Sequence, residues 1–118
     1  LGLAKALLEL SRPADALAVL EKLGDDEAHG RTPPAALAMA RAYEGLGRAE
    51  EAERAFQWAS ERMPGFEALA RYAAFKARNG RREEAREAVT EMDKRLTKLR
   101  GQFRKEAQGW RDLAARAL

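Results

Sequence analysis

The chain has 118 residues, and its 22 Lys and Arg against 19 Asp and Glu give a formal net charge of +3. The absence of cysteine excludes disulfides and thiolate metal sites, and no apolar run approaches the ~20 residues of a membrane span. Abundant Ala, Leu, Glu and Arg predict an all-helical chain of one domain, residues 1–118, and no signal-peptide pattern is present.

The first predicted element is a pair of helices within residues 1–23. Their apolar positions are Leu3, Ala4 and Leu7, then, after a break at Ser11, Ala16, Leu20 and Leu23. Leu1 already lies inside the first helix, so we interpret the chain as a fragment of a longer protein. We expect the exposed leucines of this helix to favour weak self-association.

A polar connection follows, with the sequence GDDEAHGRTPP. It holds the only histidine, His29, close to Asp25, Asp26 and Glu27. Three carboxylates and one imidazole can bind a divalent cation weakly, but a flexible loop of this kind more often only solvates a connection. We therefore predict no metal site and no cofactor.

Residues 33–65 form the most regular part of the chain. Thr32 and Pro33 read as an N-cap with proline at the first helical position, and Pro64 ends the second helix because it lacks an amide hydrogen. This predicts helices at 33–46 and 49–62. The repeat positions are Ala36, Met39, Ala40, Tyr43, Gly47, Ala52, Phe56, Ala59 and Pro64. Small residues allow a close helix crossing, Tyr43 and Phe56 fill the space between helices, and Gly47 suits a left-handed helix end.

The same spacing recurs on both sides. The downstream copy, residues 66–97, lies 33 residues later and contains Leu69, Tyr72, Ala73, Gly80, Ala85, Val89 and Met92. The upstream copy is the helix pair of residues 1–23, shifted by 36 residues. The pattern resembles the tetratricopeptide repeat, W-x2-L-G-x2-Y, then A-x3-F, then P, on a period near 34 residues. The resemblance implies an α-solenoid of about three antiparallel helix hairpins.

The last predicted element is a helix at residues 100–118 with an apolar stripe. The stripe contains Leu96, Leu99, Phe103, Ala107, Trp110, Ala114 and Ala117. We prefer a break near Gly101 and interpret the helix as a cap on the last repeat, with Trp110 buried against it. Residues 93–118 carry a net charge of +5, whereas residues 1–92 carry −2. The alternative is a membrane-associated adaptor whose basic helix contacts anionic lipid through Trp110 and Phe103.

Residues 64–118 also resemble a second family. The stretches are RYAAFKARNGRREEAR and QFRKEAQGWRDLAARAL. The family comprises bacterial inner-membrane proteins in which two transmembrane segments like those of cardiolipin synthases precede tetratricopeptide repeats. The resemblance implies a soluble domain, cytoplasmic or tethered to that membrane in the full-length protein. It transfers no lipid chemistry to this chain.

No motif in the sequence indicates catalysis, so we do not expect an enzyme. The hydroxyl residues Ser11, Ser60, Thr32, Thr90 and Thr97 have no base at a recognised spacing. The glycines stand singly at helix ends and form no phosphate loop. Nucleic acid is an unfavoured partner, because the repeats are slightly acidic.

The resemblance implies that the first helix of each hairpin lines a concave groove for a peptide or partner protein. The groove residues are predicted to be Lys5, Glu9, Leu37, Arg41, Glu44, Ala74 and Arg78. Their mixed charge suggests a peptide with some acidic content. The leading hypothesis is a non-catalytic protein-interaction scaffold, and a purely architectural segment of a longer solenoid is a third interpretation.

Overall fold

The computed structural model describes residues 1–24 and 32–118, and within those ranges all regular structure is α-helical. The helices are α1 (Gly2–Glu9), α2 (Pro13–Gly24), α3 (Pro33–Gly45), α4 (Ala49–Arg62), α5 (Glu67–Arg78), α6 (Arg82–Leu96) and α7 (Gly101–Arg116). The prediction of an all-α chain is thus confirmed for the described residues. The predicted polar connection with His29, Asp25, Asp26 and Glu27 lies outside them.

The helices fall into two compact units, Leu1–Met63 and Pro64–Leu118. In the first unit α1 packs on α2, α2 on α3 and α3 on α4, and α1 also contacts α3. In the second unit α5 packs on α6, and α7 packs on both of them. Each unit therefore contains at least one antiparallel pair of consecutive helices together with a further helix that covers it.

The ends of α3 and α4 lie within one residue of the predicted positions. The Thr32 hydroxyl accepts a hydrogen bond from the Ala35 amide at 3.3 Å, as expected of an N-cap. At the other end, Met63 has extended backbone angles, φ −84° and ψ 132°. A residue that precedes proline favours this conformation, so Pro64 ends α4 by restricting its neighbour as well as by lacking an amide hydrogen.

The turns after α1, α3 and α5 share one backbone geometry. Each contains a residue with positive φ: Ser11 at 57°, Gly47 at 76° and Gly80 at 82°. The next amide donates to the carbonyl five residues earlier: Arg12 to Leu7 (2.8 Å), Arg48 to Tyr43 (2.9 Å) and Arg81 to Lys76 (2.8 Å). This is the hydrogen bond of a Schellman helix end. The three positions that the sequence repeat aligns therefore adopt the same local structure.

The same arginines also pair with an acid three residues later. The shortest N–O distances are 2.7 Å for Arg12–Asp15, 2.7 Å for Arg48–Glu51 and 2.5 Å for Arg81–Glu84. The hydrogen bond from Arg81 lowers the pKa of Glu84, and the bond to Glu51 raises the pKa of Arg48. Exposed pairs of this kind add little stability. They do place a carboxylate on the first turn of each second helix, where the helix dipole favours it.

Buried side chains recur at matching positions in the three helix pairs. The buried positions are Ala4, Ala40 and Ala73 on the first helices, and Ala16, Ala52, Ala85, Leu20, Phe56 and Val89 on the second helices. The alanines let the backbones approach, and the larger side chains fill the space beside the crossing. Ala59 is also buried, whereas Tyr43 is half-buried beneath the guanidinium of Arg48, 4.8 Å from the ring centre. We call α1–α2, α3–α4 and α5–α6 the three hairpins.

Helix α7 packs through its C-terminal part. Ala107 and Ala114 are buried, and half-buried Trp110 packs against the same core, with the Arg71 guanidinium 5.0 Å from its ring centre. Arg111 donates two hydrogen bonds to Asp93 of α6, at 2.7 and 3.3 Å. Before Ala107, every residue of α7 is exposed.

One member of the predicted apolar stripe of the last helix, Phe103, is 78% exposed. Phe103 lies one turn before Ala107, on the face that packs farther along the helix. The periodicity of the sequence identifies that face correctly, but it does not show where along the helix the contact begins. The predicted separation from the preceding helix is observed, since α6 ends at Leu96 and α7 begins at Gly101, which has φ 61°.

Candidate partner-binding surface

In the first unit the predicted groove residues lie on two helices that contact each other. Lys5 and Glu9 are exposed on α1, while Arg41 and Glu44 are half-buried on α3. Nη2 of Arg41 lies 3.0 Å from Oε1 of Glu9, and this ion pair joins α1 to α3. The structure therefore brings the first helices of two consecutive hairpins together at a polar surface, which we call the α1–α3 surface (Lys5, Glu9, Arg41 and Glu44).

Two of the predicted groove residues are not on a surface. The side chains of Leu37 and Ala74 are buried, with 3% and 1% exposure. Helix α3 is packed by α1, α2 and α4, and its buried residues are Ala35, Leu37, Ala38, Ala40 and Ala42. Helix α5 is likewise covered by α6 and α7. A helix covered from several directions buries the small apolar residues that would otherwise face a partner, so Leu37 and Ala74 are core residues.

Arg78, the last of the predicted groove residues, is exposed at the C-terminal end of α5 in the second unit. A basic residue in the last turn is favoured by the helix dipole, and this gives Arg78 a structural reason for its position. Its role in binding stays a prediction.

The α1–α3 surface holds two cations, Lys5 and Arg41, and two anions, Glu9 and Glu44. The side chain of Arg41 is only 20% exposed, whereas that of its partner Glu9 is 70% exposed. The observed contact uses one terminal nitrogen of a guanidinium that can offer two parallel donors to an acid. Glu9 makes this contact from the end of a flexible, exposed side chain. Lys5, one turn before Glu9, adds a second positive charge.

Two of the hydroxyl groups, those of Ser60 and Thr97, donate hydrogen bonds to backbone carbonyls of their own helices. Ser60 donates to the Gln57 carbonyl at 2.9 Å, and Thr97 donates to the Lys94 carbonyl at 2.7 Å. Across residues 1–24 and 32–118, no three His, Cys, Asp or Glu side chains are grouped so that they could hold a metal ion. None of the helices in this part of the chain is both long and apolar enough to cross a bilayer.

Helix α1 and its C-cap residue, Leu10, also expose large apolar side chains. Leu3 and Leu10 are 62% and 66% exposed, whereas Leu7 is buried. Such a patch favours association with another apolar surface. We therefore expect Leu3 and Leu10 to contribute most to the predicted self-association.

We expect Leu3→Gln with Leu10→Gln to reduce self-association without changing helicity, because neither side chain is part of the core. Sedimentation equilibrium should show an apparent mass that rises with concentration for the parent chain and rises less for the double variant. Leu46→Gln, at a leucine that is 38% exposed beyond α3, is the matched control. A parent chain that stays monomeric at high concentration would refute this prediction.

Comparison with known proteins adds no relative. No family model matches the chain, and neither the curated proteins nor the solved structures contain a significant match to it.

Proposed function

We propose that this chain is a non-catalytic protein-interaction module, an α-solenoid of three tetratricopeptide-like hairpins closed by α7. The observation that carries the proposal is the threefold recurrence of one hairpin. The left-handed turn residue, the arginine–acid pair and the buried alanines recur in each copy. Repeated hairpins of this size stack on one another, and the surfaces they line up bind other proteins.

The binding surface in this proposal is the α1–α3 surface. In a stack of hairpins the first helices lie side by side, and the Arg41–Glu9 ion pair marks such a contact between two of them. Arg41 is the anchor for an acidic side chain or a chain terminus of a bound peptide, and Glu9 occupies that place when no peptide is bound. The partner is thus a peptide segment with at least one carboxylate, held by a charge-assisted hydrogen bond.

This arrangement predicts opposite effects for the two members of the ion pair. Arg41→Gln should weaken binding of acidic peptides by about 10- to 100-fold, the usual value of a hydrogen bond to a charged group. Glu9→Gln should strengthen binding, because it removes the competing carboxylate from Arg41. Peptides are selected from a displayed random library with the parent chain, and their affinities for each variant are then measured by calorimetry.

Arg54→Gln is the matched control for this test. Arg54 is an exposed residue of α4 in the same unit, and its replacement changes the net charge by the same amount as Arg41→Gln. The control should bind as the parent does. A library that yields no enriched peptide, or affinities that fall equally in Arg41→Gln and Arg54→Gln, would contradict the proposal.

A further inference from the structure

The end of α6 and the start of α7 form the most basic stretch of the chain. Residues 94–105 contain six Lys and Arg and no Asp or Glu. All six cations are exposed. Only Leu96 is buried in this stretch, and Leu99 is half-buried. The two leucines hold the connection against the core while the charges face the solvent.

Three acids border this stretch, Glu91, Asp93 and Glu106, and they are fewer than its six cations. Asp93 accepts both hydrogen bonds from Arg111, and Glu91 pairs with Arg95 at 3.5 Å. Of the six cations in residues 94–105, all of which the structure describes, only Arg95 has a carboxylate within ion-pair distance. Elsewhere in the second unit, Arg71, Lys76, Arg81, Arg86 and Arg111 are each paired with an acid, whereas Arg82 and Arg116 are exposed single cations outside this stretch. The unpaired charges are thus concentrated at this junction and are available to an external anion.

An exposed aromatic ring lies among these charges. Phe103 is 78% exposed, and it is flanked in sequence by Arg100 and Arg104. Helical spacing places it on the same stripe as Ala107 and Trp110, which pack against the α5–α6 hairpin. The stripe is therefore divided. Its C-terminal part closes the hairpin, and its first turn leaves one large apolar side chain in solvent.

We propose that this basic corner, formed by Lys94, Lys98, Arg100, Arg104, Lys105 and Phe103, binds the headgroup surface of an anionic phospholipid membrane. A cluster of four to eight cations gains about fivefold in membrane affinity for each charge near the surface. Phe103 adds the apolar contact that inserts among the upper acyl carbons. Trp110 stays on the hairpin, so membrane contact and capping are performed by different parts of one helix.

The single exposed ring favours lipid over a nucleic-acid strand. Proteins that bind single strands stack successive bases on several aromatic side chains. Phe103 is the one aromatic residue between Phe75 and Trp110 in the sequence, so the corner offers one platform only. A membrane interface needs no more than one inserted ring beside several cations, and the corner provides that combination.

The test measures co-sedimentation with vesicles of phosphatidylcholine alone and of phosphatidylcholine with about one-third phosphatidylglycerol. The parent chain should bind only the anionic vesicles, and binding should fall as salt is raised. The triple variant with Lys98, Arg100 and Arg104 changed to Gln should lose about 100-fold in affinity, from the fivefold gain per charge. Phe103→Ala should lose about tenfold or more, because a large apolar side chain no longer enters the interface.

The matched control changes Lys22, Arg54 and Arg82 to Gln. These residues are exposed and lie outside residues 94–105 in the sequence, and both triple variants lose three positive charges. The control should bind anionic vesicles nearly as the parent does. In a Trp58→Phe background, where Trp110 is the only tryptophan, the emission of Trp110 should not shift on binding.

Three results would overturn the proposal. The first is an equal loss of vesicle affinity in the two triple variants. The second is the absence of binding to anionic vesicles at low salt. The third is that the chain binds a single-stranded oligonucleotide more tightly than the vesicles, and that changing Lys98, Arg100 and Arg104 to Gln abolishes this binding. Peptide binding through Arg41 is measured without vesicles, so its failure and the failure of this proposal are distinguishable.

Discussion

Phe56→Ala should lower the free energy of unfolding of the first unit by about 3–5 kcal/mol, the usual cost of deleting a large buried aromatic side chain. Phe56 is 1% exposed and is among the largest fully buried side chains of the described residues. It lies on α4 at the position that Leu20 and Val89 occupy in the other hairpins. Natural domains are stable by only about 5–15 kcal/mol, so this change removes a large share of the stability.

The measurement is urea denaturation followed by the fluorescence of Trp58, in a background where Trp110 is changed to Phe. Trp58 is then the only tryptophan, and it lies on the same helix as Phe56. Gln57→Ala is the control, because Gln57 is exposed and its replacement should change stability by no more than about 0.5 kcal/mol. Equal stabilities for the two variants would show that Phe56 is not a core residue of the hairpin.

Ala114→Asp should release α7 from the α5–α6 hairpin. Ala114 is fully buried in the core of the second unit, and a carboxylate there has no partner. An unpaired buried charge costs more than about 3 kcal/mol, so undocking of the helix is the cheaper outcome. Trp110 packs against the same core, and its emission should therefore shift to the red in a Trp58→Phe background.

Gly109→Asp provides the control on the same helix. Gly109 is exposed, and a Cβ at this position has no heavy atom within 4 Å, so the new carboxylate remains in water. Its free energy of unfolding should match that of the parent within about 0.5 kcal/mol. Its Trp110 emission should be the same as in the parent. If Ala114→Asp also keeps the parental emission, α7 does not cap the hairpin in solution.

The features that the sequence predicted correctly are local ones. Thr32 and Pro64 act on the backbone within one turn of themselves, so helix ends follow from residue type and position. Gly47 has the positive φ that its place after α3 requires. The buried Ala40 and Ala52 follow from a spacing that fixes which residues meet where two helices of one hairpin cross.

The errors concern contacts that depend on neighbouring helices. Leu37 and Ala74 were expected to face a partner, yet both are covered, because α3 and α5 are each packed from more than one side. Alanine is compatible with a core or a surface, so its residue type does not decide between them. Phe103 belongs to the predicted apolar stripe but is exposed, because its helix extends beyond the contact. Whether such a side chain is buried depends on how far its helix overlaps the neighbouring helices. The periodicity of a single helix does not contain this information.

A polar pair also recurs in the sequence at the start of each second helix. An arginine with an acid three residues later follows each left-handed turn residue, at Arg12–Asp15, Arg48–Glu51 and Arg81–Glu84. These pairs are polar and exposed, so the apolar periodicity of the sequence does not reveal them. They identify the start of a second helix in this chain as clearly as the alanine spacing does.

The most direct test of the proposed function is an NMR titration of the ¹⁵N-labelled chain with an acidic peptide selected from the library. We predict saturable shifts that are largest for amides of α1 and α3 near Lys5, Glu9 and Arg41, and that are lost in Arg41→Gln. Shifts confined to residues 94–105, or no saturable shift, would contradict the assignment of a peptide-binding role to the α1–α3 surface.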